Sequence, residues 1–323
     1  MTDDEHTVLR ATVFTPTPRL TITVEPEPGG DEIHLHAGGQ GVWQARMLRE
    51  MGFTVSLCGH FAGEVGAVLR SLVTDSSVTA SDHLSAGTNG VYIHDRRSGE
   101  RHEVAQMAAT APTRHQLDDL YGRTLSAALE SRICLLGGPD EPTALPEGLY
   151  RRLASDVAAA GTPVVADLSG RPLDEVIEAG VAMVKASHED LVTDGRAEGS
   201  SLDQLCAVMS AMVDSGAGSV VITRSSDPTV ALLHDGFWLV EAPNFEAVDA
   251  RGAGDSFTAA FAATIGAGGD HRRALQVGAA AGALNVTRRG LASGERASIE
   301  RLADQIEVIP LDDSRRQHPR PAP

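Results

Sequence analysis

Short apolar runs alternate with longer segments in which apolar residues recur at helical spacing. The short runs are typical of buried strands and cover residues 54–58, 133–136, 163–166, 182–184 and 219–223. The longer segments predict helices with one apolar face, at residues 44–51, 64–73, 116–130, 147–160 and 202–214. The repeated strand–helix order predicts an α/β fold in which helices cover a mainly parallel sheet.

Two segments alternate polar and apolar residues instead, which is typical of antiparallel hairpins. Residues 20–36 contain a turn at PGG (28–30), and residues 91–104 contain a turn at RSG (97–99). We expect a small lid sheet, built from about residues 20–36 and 87–106, that closes over a cleft and excludes water. The alternative is a pair of edge hairpins without a moving part.

The last third of the chain is helical and rich in small residues, at 254–266 and 272–287. Residues 312–323 (DDSRRQHPRPAP) combine proline and charge without apolar periodicity and predict a disordered tail. We therefore expect one domain over residues 1–311, followed by this tail.

Composition and charge narrow the class of protein. The 323 residues include 27 basic and 44 acidic ones, a net charge of −17, which argues against nucleic acid as the main partner. Cys58, Cys134 and Cys206 lie far apart, so neither a disulfide framework nor a zinc cluster is expected. The acidic N-terminus differs from a secretory signal, and no apolar run reaches about 18 residues. We expect a cytoplasmic protein without membrane contact.

The segment VDARGAGDSF (248–257) places a glycine-rich turn directly before a helix. Backbone amides at such a helix start, here from Gly252, Ala253 and Gly254, form an anion site suited to a transferring phosphoryl group. Asp255 would stand beside this site as a general base that accepts the proton of an attacking hydroxyl. The alternative is that Asp255 only caps the helix and the glycines only permit the turn.

The sequence GAGD before a small-residued helix resembles the signature of the ribokinase-like PfkB carbohydrate kinases. Further segments resemble the family's motifs over about residues 8–308: AGGQGVWQAR (37–46), LGGP (136–139), DLSG (167–170) and KASHEDL (185–191). Their order and spacing are most similar to the 1-phosphofructokinase, 6-phosphofructokinase and tagatose-6-phosphate kinase branch. This resemblance implies ATP, Mg²⁺, a doubly wound core with a β lid, and a homodimer that pairs through the lid.

The acceptor side departs from the family pattern. Thr17 and Thr21 stand where the family has Asn and a sugar-binding Asp, Gln40 replaces a phosphate-facing Lys, and Trp43 replaces an Asn. Trp43 would either stack on a flat acceptor or pack beneath the lid.

The Arg that clamps the substrate's phosphate in the family is Thr88 here, and Gly90 replaces the nearby Asn. Fructose 6-phosphate or 1-phosphate is therefore expected to bind poorly, and the acceptor to be a different sugar-like small molecule. The resemblance places the acceptor side at Thr17, Thr21, Gly38, Gly39, Gln40, Trp43, Thr88 and Gly138.

The nucleotide side is also altered, because TRSSDP (223–228) lacks both glycines of the family's SLGxxG loop. Three cations, Lys185, Arg224 and Arg251, would either place positive charge near the cleft or be solvated at the surface. The resemblance implies nucleotide contacts from Lys185, Ser187, Thr223, Arg224, Ser225, Arg251, Gly282 and Asn285. Asp190 stands near the family's Mg²⁺ motif and would reach the ion through water. His34 and His36, without further ligands, are expected on the lid surface.

Two functions follow as hypotheses. The first is an enzyme that transfers the γ-phosphoryl of MgATP to a hydroxyl of a sugar, sugar phosphate or sugar-like molecule, with Asp255 as its base. The second is a catalytically silent ligand-binding or regulatory protein that keeps the kinase fold, because fold alone does not fix function.

Overall fold

The structure is a computed structural model that describes residues 8–74, 77–80, 83–139, 145–288 and 294–311. The expected disordered tail, residues 312–323, lies outside the described residues. The expected division at residue 311 therefore stays a prediction.

The predicted α/β architecture is confirmed. Within the described residues a large sheet has the strand order β16-β15-β14-β13-β12-β11-β10-β1-β4-β6. The strands are β1 (Arg10–Thr15), β4 (Thr54–Gly59), β6 (Val78–Ala80), β10 (Ile133–Gly137), β11 (Val164–Asp167), β12 (Met183–Ser187), β13 (Val220–Arg224), β14 (Asp227–Leu233), β15 (Gly236–Glu241) and β16 (Glu307–Pro310).

All pairs from β13 across to β6 are parallel, whereas β14, β15 and β16 extend the sheet antiparallel. Each predicted buried strand is present with shifts of one to three residues. The sequence analysis missed β1 and the antiparallel extension. In the extension no helix separates β13, β14 and β15, so the strand–helix rhythm does not mark them.

Helices cover both faces of the sheet. The described helices are α1 (Gln40–Glu50), α2 (Gly63–Val73), α3 (Arg114–Leu129), α4 (Leu149–Ala159), α5 (Gly170–Glu178), α6 (His188–Thr193), α7 (Leu202–Asp214), α8 (Ala253–Gly266), α9 (His271–Asn285) and α10 (Arg296–Ala303). Alternate residues of each strand enter different cores, because successive side chains point to opposite faces. Leu135 lies in the core beneath α1, α8 and α9, whereas Leu136 lies in the core beneath α3 to α7.

The two predicted hairpins form one small sheet. They are β2 (Arg19–Glu27) with β3 (Gly30–Gly38), and β8 (Val91–Asp95) with β9 (His102–Met107), joined by parallel pairing of β2 and β8. A further pair consists of β5 (Phe61–Ala62) and β7 (Leu84–Ser85). In this lid sheet the register sets Tyr92 beside Thr21 and His94 beside Thr23. One face of the lid is therefore polar.

The central strand β10 provides a test of the two-core arrangement. Leu135 is fully buried, so Leu135→Ala should lower the free energy of unfolding by about 2–5 kcal/mol through lost apolar burial and the cavity left behind. Leu129→Ala is the matched control, because Leu129 is 61% exposed at the end of α3. Urea titration measures both variants. Equal effects of the two substitutions would contradict this placement of the core.

Candidate active site

The candidate site lies at the carboxyl edge of the parallel strands. The chain leaves β1 towards β4 on one side and leaves β10 towards β11 on the other, so the strand order reverses between β1 and β10. Such a reversal opens a crevice in which doubly wound proteins bind ligands. The register sets Gly137, Asp167 and Lys185 side by side at this edge.

The glycine-rich turn begins α8 as the sequence predicts. Gly252 is the N-cap residue with φ 72°, a left-handed conformation that glycine adopts without strain, and no side chain in the described part of the chain caps this helix. Its first-turn amides and the positive end of the helix dipole form an anion site. Asp255 is the third helical residue and is partly exposed. The cap position thus belongs to Gly252 and not to Asp255.

Two residues predicted on the nucleotide side lie directly behind this turn. Asn285 is fully buried, its Nδ2 donates to the carbonyl of Arg251 at 2.6 Å, and its Oδ1 accepts from Ser256 Oγ at 3.3 Å. A Cβ at Gly282 would lie 3.1 Å from the carbonyl oxygen of Ala253, so glycine permits α9 to approach the start of α8. Asn285 and Gly282 therefore hold the glycine-rich turn in place.

A buried ion pair lies beneath the start of α8. Lys185 Nζ is 3.2 Å from Asp167 Oδ1, and the two side chains are only 7% and 5% exposed. Asp167 Oδ2 also accepts from Thr258 Oγ1 at 2.7 Å and from Gln44 Nε2 at 3.4 Å. One carboxylate thus connects β11 and β12 with α8 and α1.

Lys185 is positioned to act on Asp255 through charge. Burial opposes the cationic form, but the carboxylates of Asp167 and Asp255 outweigh burial and raise the pKa of Lys185. A Cβ at Gly254 would lie 2.7 Å from Lys185 Nζ, so the ammonium group packs against the turn itself. The sequence analysis named both Lys185 and the DLSG segment but missed the Asp167–Lys185 pair, as well as the roles of Thr258 and Gln44.

Most of the remaining residues predicted on the nucleotide side lie at the carboxyl ends of β12 and β13. Thr223 pairs with Ser187 in the register, and Ser225 follows with φ 55°, a left-handed conformation rare for a residue with a side chain. Arg224 is largely buried and donates to the Pro228 carbonyl and to Asp227. This loop is therefore ordered by its own contacts. Arg251 is exposed on the loop before α8.

Asp190 takes part in a capping box at the start of α6. Its Oδ2 accepts from the Ser187 backbone N–H at 3.2 Å and from Ser187 Oγ at 2.7 Å, and its own N–H donates to Ser187 Oγ. The described residues contain no group of three His, Cys, Asp or Glu side chains able to hold a metal. The donor set fits Mg²⁺ held mainly by phosphates and water, with Asp190 Oδ1 outside the capping contacts.

On the acceptor side, Gln40 spans the crevice. Its Oε1 accepts from the Gly138 N–H at 2.8 Å, which connects the start of α1 to the end of β10. Gly39, with φ 110°, is the N-cap of α1. A Cβ at Gly38 would lie 2.5 Å from Thr21 Oγ1, so the lid strand β2 approaches the glycine segment closely.

Several polar atoms at the carboxyl end of β1 are buried without a hydrogen-bond partner in the described structure: Thr15 Oγ1, Thr17 Oγ1 and Gln44 Oε1. Such atoms cost free energy unless a ligand or water satisfies them.

Trp43 is partly buried and packs against the core beneath α1. Thr88 donates to the Asn89 carbonyl at 3.1 Å. His34 and His36 stack on the lid, where His34 lies 3.2 Å from Glu32.

The chain belongs to the pfkB family of carbohydrate kinases, because the sequence model of that family, described as "pfkB family carbohydrate kinase", matches residues 13–297. The predicted family is thereby confirmed. Within the described residues no helix has the length and apolar character needed to cross a membrane.

Solved structures show the same fold. Phosphofructokinase-2 from Escherichia coli in complex with potassium is 20% identical with a TM-score of 0.82, over 92% of this chain and 99% of that one. A possible 1-phosphofructokinase from Thermotoga maritima is 16% identical with a TM-score of 0.81, over 94% and 100%. Arabidopsis thaliana ribokinase complexed with ribose and ATP is 20% identical with a TM-score of 0.72, over 92% and 99%. The ribokinase-like fold predicted from the motifs is confirmed.

The buried ion pair gives a stability prediction. Lys185→Met leaves the Asp167 carboxylate buried without its cation and should lower the free energy of unfolding by about 3–5 kcal/mol. Adding Asp167→Asn to this variant should restore part of the loss. Arg10→Met is the control, because the Arg10–Glu130 pair is exposed and contributes little. A loss no larger than that of the control, measured by urea unfolding, would contradict the role given to this pair.

Proposed function

We propose that the protein is an ATP-dependent phosphotransferase that phosphorylates a hydroxyl of a sugar-like small molecule. The observation that carries this proposal is the start of α8, where the partly exposed Asp255 carboxylate stands beside first-turn amides that no described side chain caps. A general base next to an anion site is the arrangement that phosphoryl transfer to an alcohol requires.

The proposed step assigns one role to each part of the turn. The acceptor hydroxyl oxygen forms a bond to the γ-phosphorus as the bond from that phosphorus to the β–γ bridging oxygen breaks, and ADP leaves. Asp255 accepts the hydroxyl proton. The amides of residues 252–254 donate to the oxygens on which charge accumulates. Lys185, beneath the turn, favours the ionised form of Asp255 before the proton arrives.

MgATP would bind along the ends of β12 and β13 and at the start of α8. Lys185, Ser187, Thr223, Arg224, Ser225 and Arg251 are its proposed nucleotide-side residues, with Gly282 and Asn285 supporting the turn from behind. The magnesium ion would neutralise phosphate charge, with Asp190 as a contact through water.

The acceptor is proposed to bind between the glycine segment and the lid. The unpartnered Thr15 and Thr17 hydroxyls and Gln44 Oε1 support a ligand that carries hydroxyl groups, since such a ligand both donates and accepts hydrogen bonds. Thr21, Gly38, Gly39, Trp43, Thr88 and Gly138 complete the proposed acceptor side.

A specific contact favours the second candidate, a catalytically silent binding protein. Gln40 Oε1 already accepts from the Gly138 N–H, and this bond crosses the crevice where an acceptor would lie. Turnover requires an acceptor that fits beside this bond or replaces it. Measurement of product formation therefore decides between the two candidates.

Substitution of the base tests the enzyme proposal. Asp255→Asn keeps the size of the side chain but removes the proton acceptor, and should lower kcat by about 10²–10⁴-fold. A coupled assay for ADP release over phosphorylated and unphosphorylated sugars measures the effect, and the rise in Tm with ATP should persist.

The control for that test is Asp203→Asn, because Asp203 is an exposed acidic residue in the first turn of another helix, α7. It should leave the rate unchanged. Turnover that is equal in wild type and Asp255→Asn, or absent for every acceptor while ligands still raise Tm, would contradict the proposal and support the binding protein.

We further propose a homodimer formed through the lid in the cytoplasm. Both edge strands of the lid expose apolar side chains, namely Ile33 and Leu35 on β3 and Val104 and Met107 on β9. An unpaired sheet edge with apolar residues favours association with a second copy.

The three cysteines support the cytoplasmic location. Cys58, Cys134 and Cys206 are buried and form no disulfide, and burial raises the pKa of Cys58 to about 11, which suits a reducing compartment.

Charge on the lid edge tests the dimer. Leu35→Lys should convert the dimer to a monomer, because it places an ammonium group in the apolar contact. Leu129→Lys is the matched control, since Leu129 is 61% exposed at the end of α3, a helix that packs against α4, β1 and β4. Light scattering after size exclusion reports the mass. A wild-type monomer, or a dimer that survives Leu35→Lys, would contradict this arrangement.

A further inference from the structure

Two guanidinium groups lie over one tyrosine ring on the polar face of the lid. The Cζ atom of Arg19 is 5.5 Å from the ring centroid of Tyr92, and that of Arg101 is 5.0 Å from the same centroid. Each contact is a cation–π interaction, which orients a guanidinium group without neutralising its charge. The lid therefore holds two guanidinium groups against one aromatic ring.

The partners of Arg101 are neutral. Arg101 Nη2 lies 3.1 Å from His94 Nδ1. Because an arginine side chain only donates hydrogen bonds, His94 Nδ1 is the acceptor, and the ring proton of the neutral imidazole is on Nε2. That Nε2 lies 3.1 Å from Thr23 Oγ1. Arg101 Nε is buried without a hydrogen-bond partner, and Arg101 forms no ion pair with any described carboxylate. A partly buried cation in this state gains free energy from a bound anion.

Further cations lie near this pair although the chain as a whole carries −17. Burial first, then the charges of Arg96, Arg251 and His36, lower the pKa of His94, whereas the nearby Asp249 carboxylate raises it. Arg96 also lies 3.5 Å from Asp249, on the loop before α8, so the polar face of the lid is directed towards the catalytic turn.

The position of Tyr92 indicates which ligand meets these charges. Tyr92 is the register partner of Thr21, and Thr21 Oγ1 lies against Gly38 of the glycine segment. The arginine pair is thus on the acceptor side of the cleft. At the positions where the resemblance places the phosphate-binding Arg and Lys, this chain has Thr88 and Gln40, which supply no charge.

We propose that Arg101, with Arg19 beside it, binds an anionic group of the acceptor, so that the substrate is a hydroxyl compound carrying a carboxylate or a phosphate. The hydroxyl groups of this compound face the end of β1, and its anionic group faces the lid. Arg101 is therefore a specificity-determining residue. This inference rests on the proposed phosphotransferase function, whereas the binding site itself can be measured without turnover.

The first experiment measures anion binding by the whole protein. Inorganic phosphate and acetate are titrated calorimetrically into wild type, Arg101→Met and Arg97→Met, with and without a saturating non-hydrolysable ATP analogue that occupies the catalytic turn. Arg97 is the matched control, because it is an exposed lid arginine that Asp95 and Asp31 already neutralise. Arg101→Met should weaken binding of one of the two anions about 10-fold or more, and Arg97→Met should not.

The second experiment measures specificity. Fructose, fructose 6-phosphate and gluconate represent a neutral, a phosphorylated and a carboxylated acceptor. Arg101→Met should raise KM for the charged acceptor about 10-fold or more with little change in kcat, and leave a neutral acceptor unaffected. Arg101→Lys should recover part of the loss, since it retains the charge but not the fork of donors. Tm without ligand checks the fold of each variant.

The outcomes separate this inference from the proposed function. Loss of anion binding in Arg101→Met supports the anion site even if no acceptor is phosphorylated. The absence of phosphorylation would count against the proposed kinase function and not against the anion site. Equal anion binding in wild type and Arg101→Met, or a neutral acceptor whose KM rises as much as that of a charged one, would overturn the inference.

Discussion

The site depends on one buried ion pair, Asp167 with Lys185. Neighbouring parallel strands bring the two residues into register, and their burial makes either charge costly without the other. Asp167 then binds Thr258 on α8 and Gln44 on α1, so the helix that carries Asp255 and the helix that begins at the glycine segment share one anchor. The electrostatic environment of Asp255 follows from this arrangement, because the ammonium group of Lys185 lies directly beneath the turn.

The two sides of the cleft are built by different means. The glycine-rich turn before α8 is supported from behind by Asn285 and by the close approach of α9 at Gly282, and it presents backbone donors rather than side chains. The acceptor side presents unpartnered hydroxyl and amide oxygens at the end of β1, and cations from the lid. A turn whose backbone N–H groups are held in place suits the binding of a phosphoryl group, a group that every nucleotide carries. A lid that carries cations suits selection among acceptors.

Much of the fold could be predicted from periodicity and local motifs. The parallel strands, their helices and the two hairpins each have a local signal, and GAGD at residues 252–255 marks the start of α8. The Asp167–Lys185 pair could not be read from spacing, since it depends on the register of two strands joined through α5. The arginines over Tyr92 escaped notice because Arg19 and Arg101 come from distant segments that only the lid sheet brings together. The antiparallel strands β14 and β15 follow β13 without the intervening helices on which the strand–helix pattern relies.

The central claim is that Asp255 and the turn before it transfer a phosphoryl group to an alcohol. Phosphorus NMR of the protein with MgATP and a mixture of neutral and acidic sugars observes this transfer directly. The account predicts a new phosphomonoester signal that grows together with that of ADP, in equal amounts. Inorganic phosphate as the only product besides ADP, or an unchanged ATP spectrum with every acceptor, would contradict it.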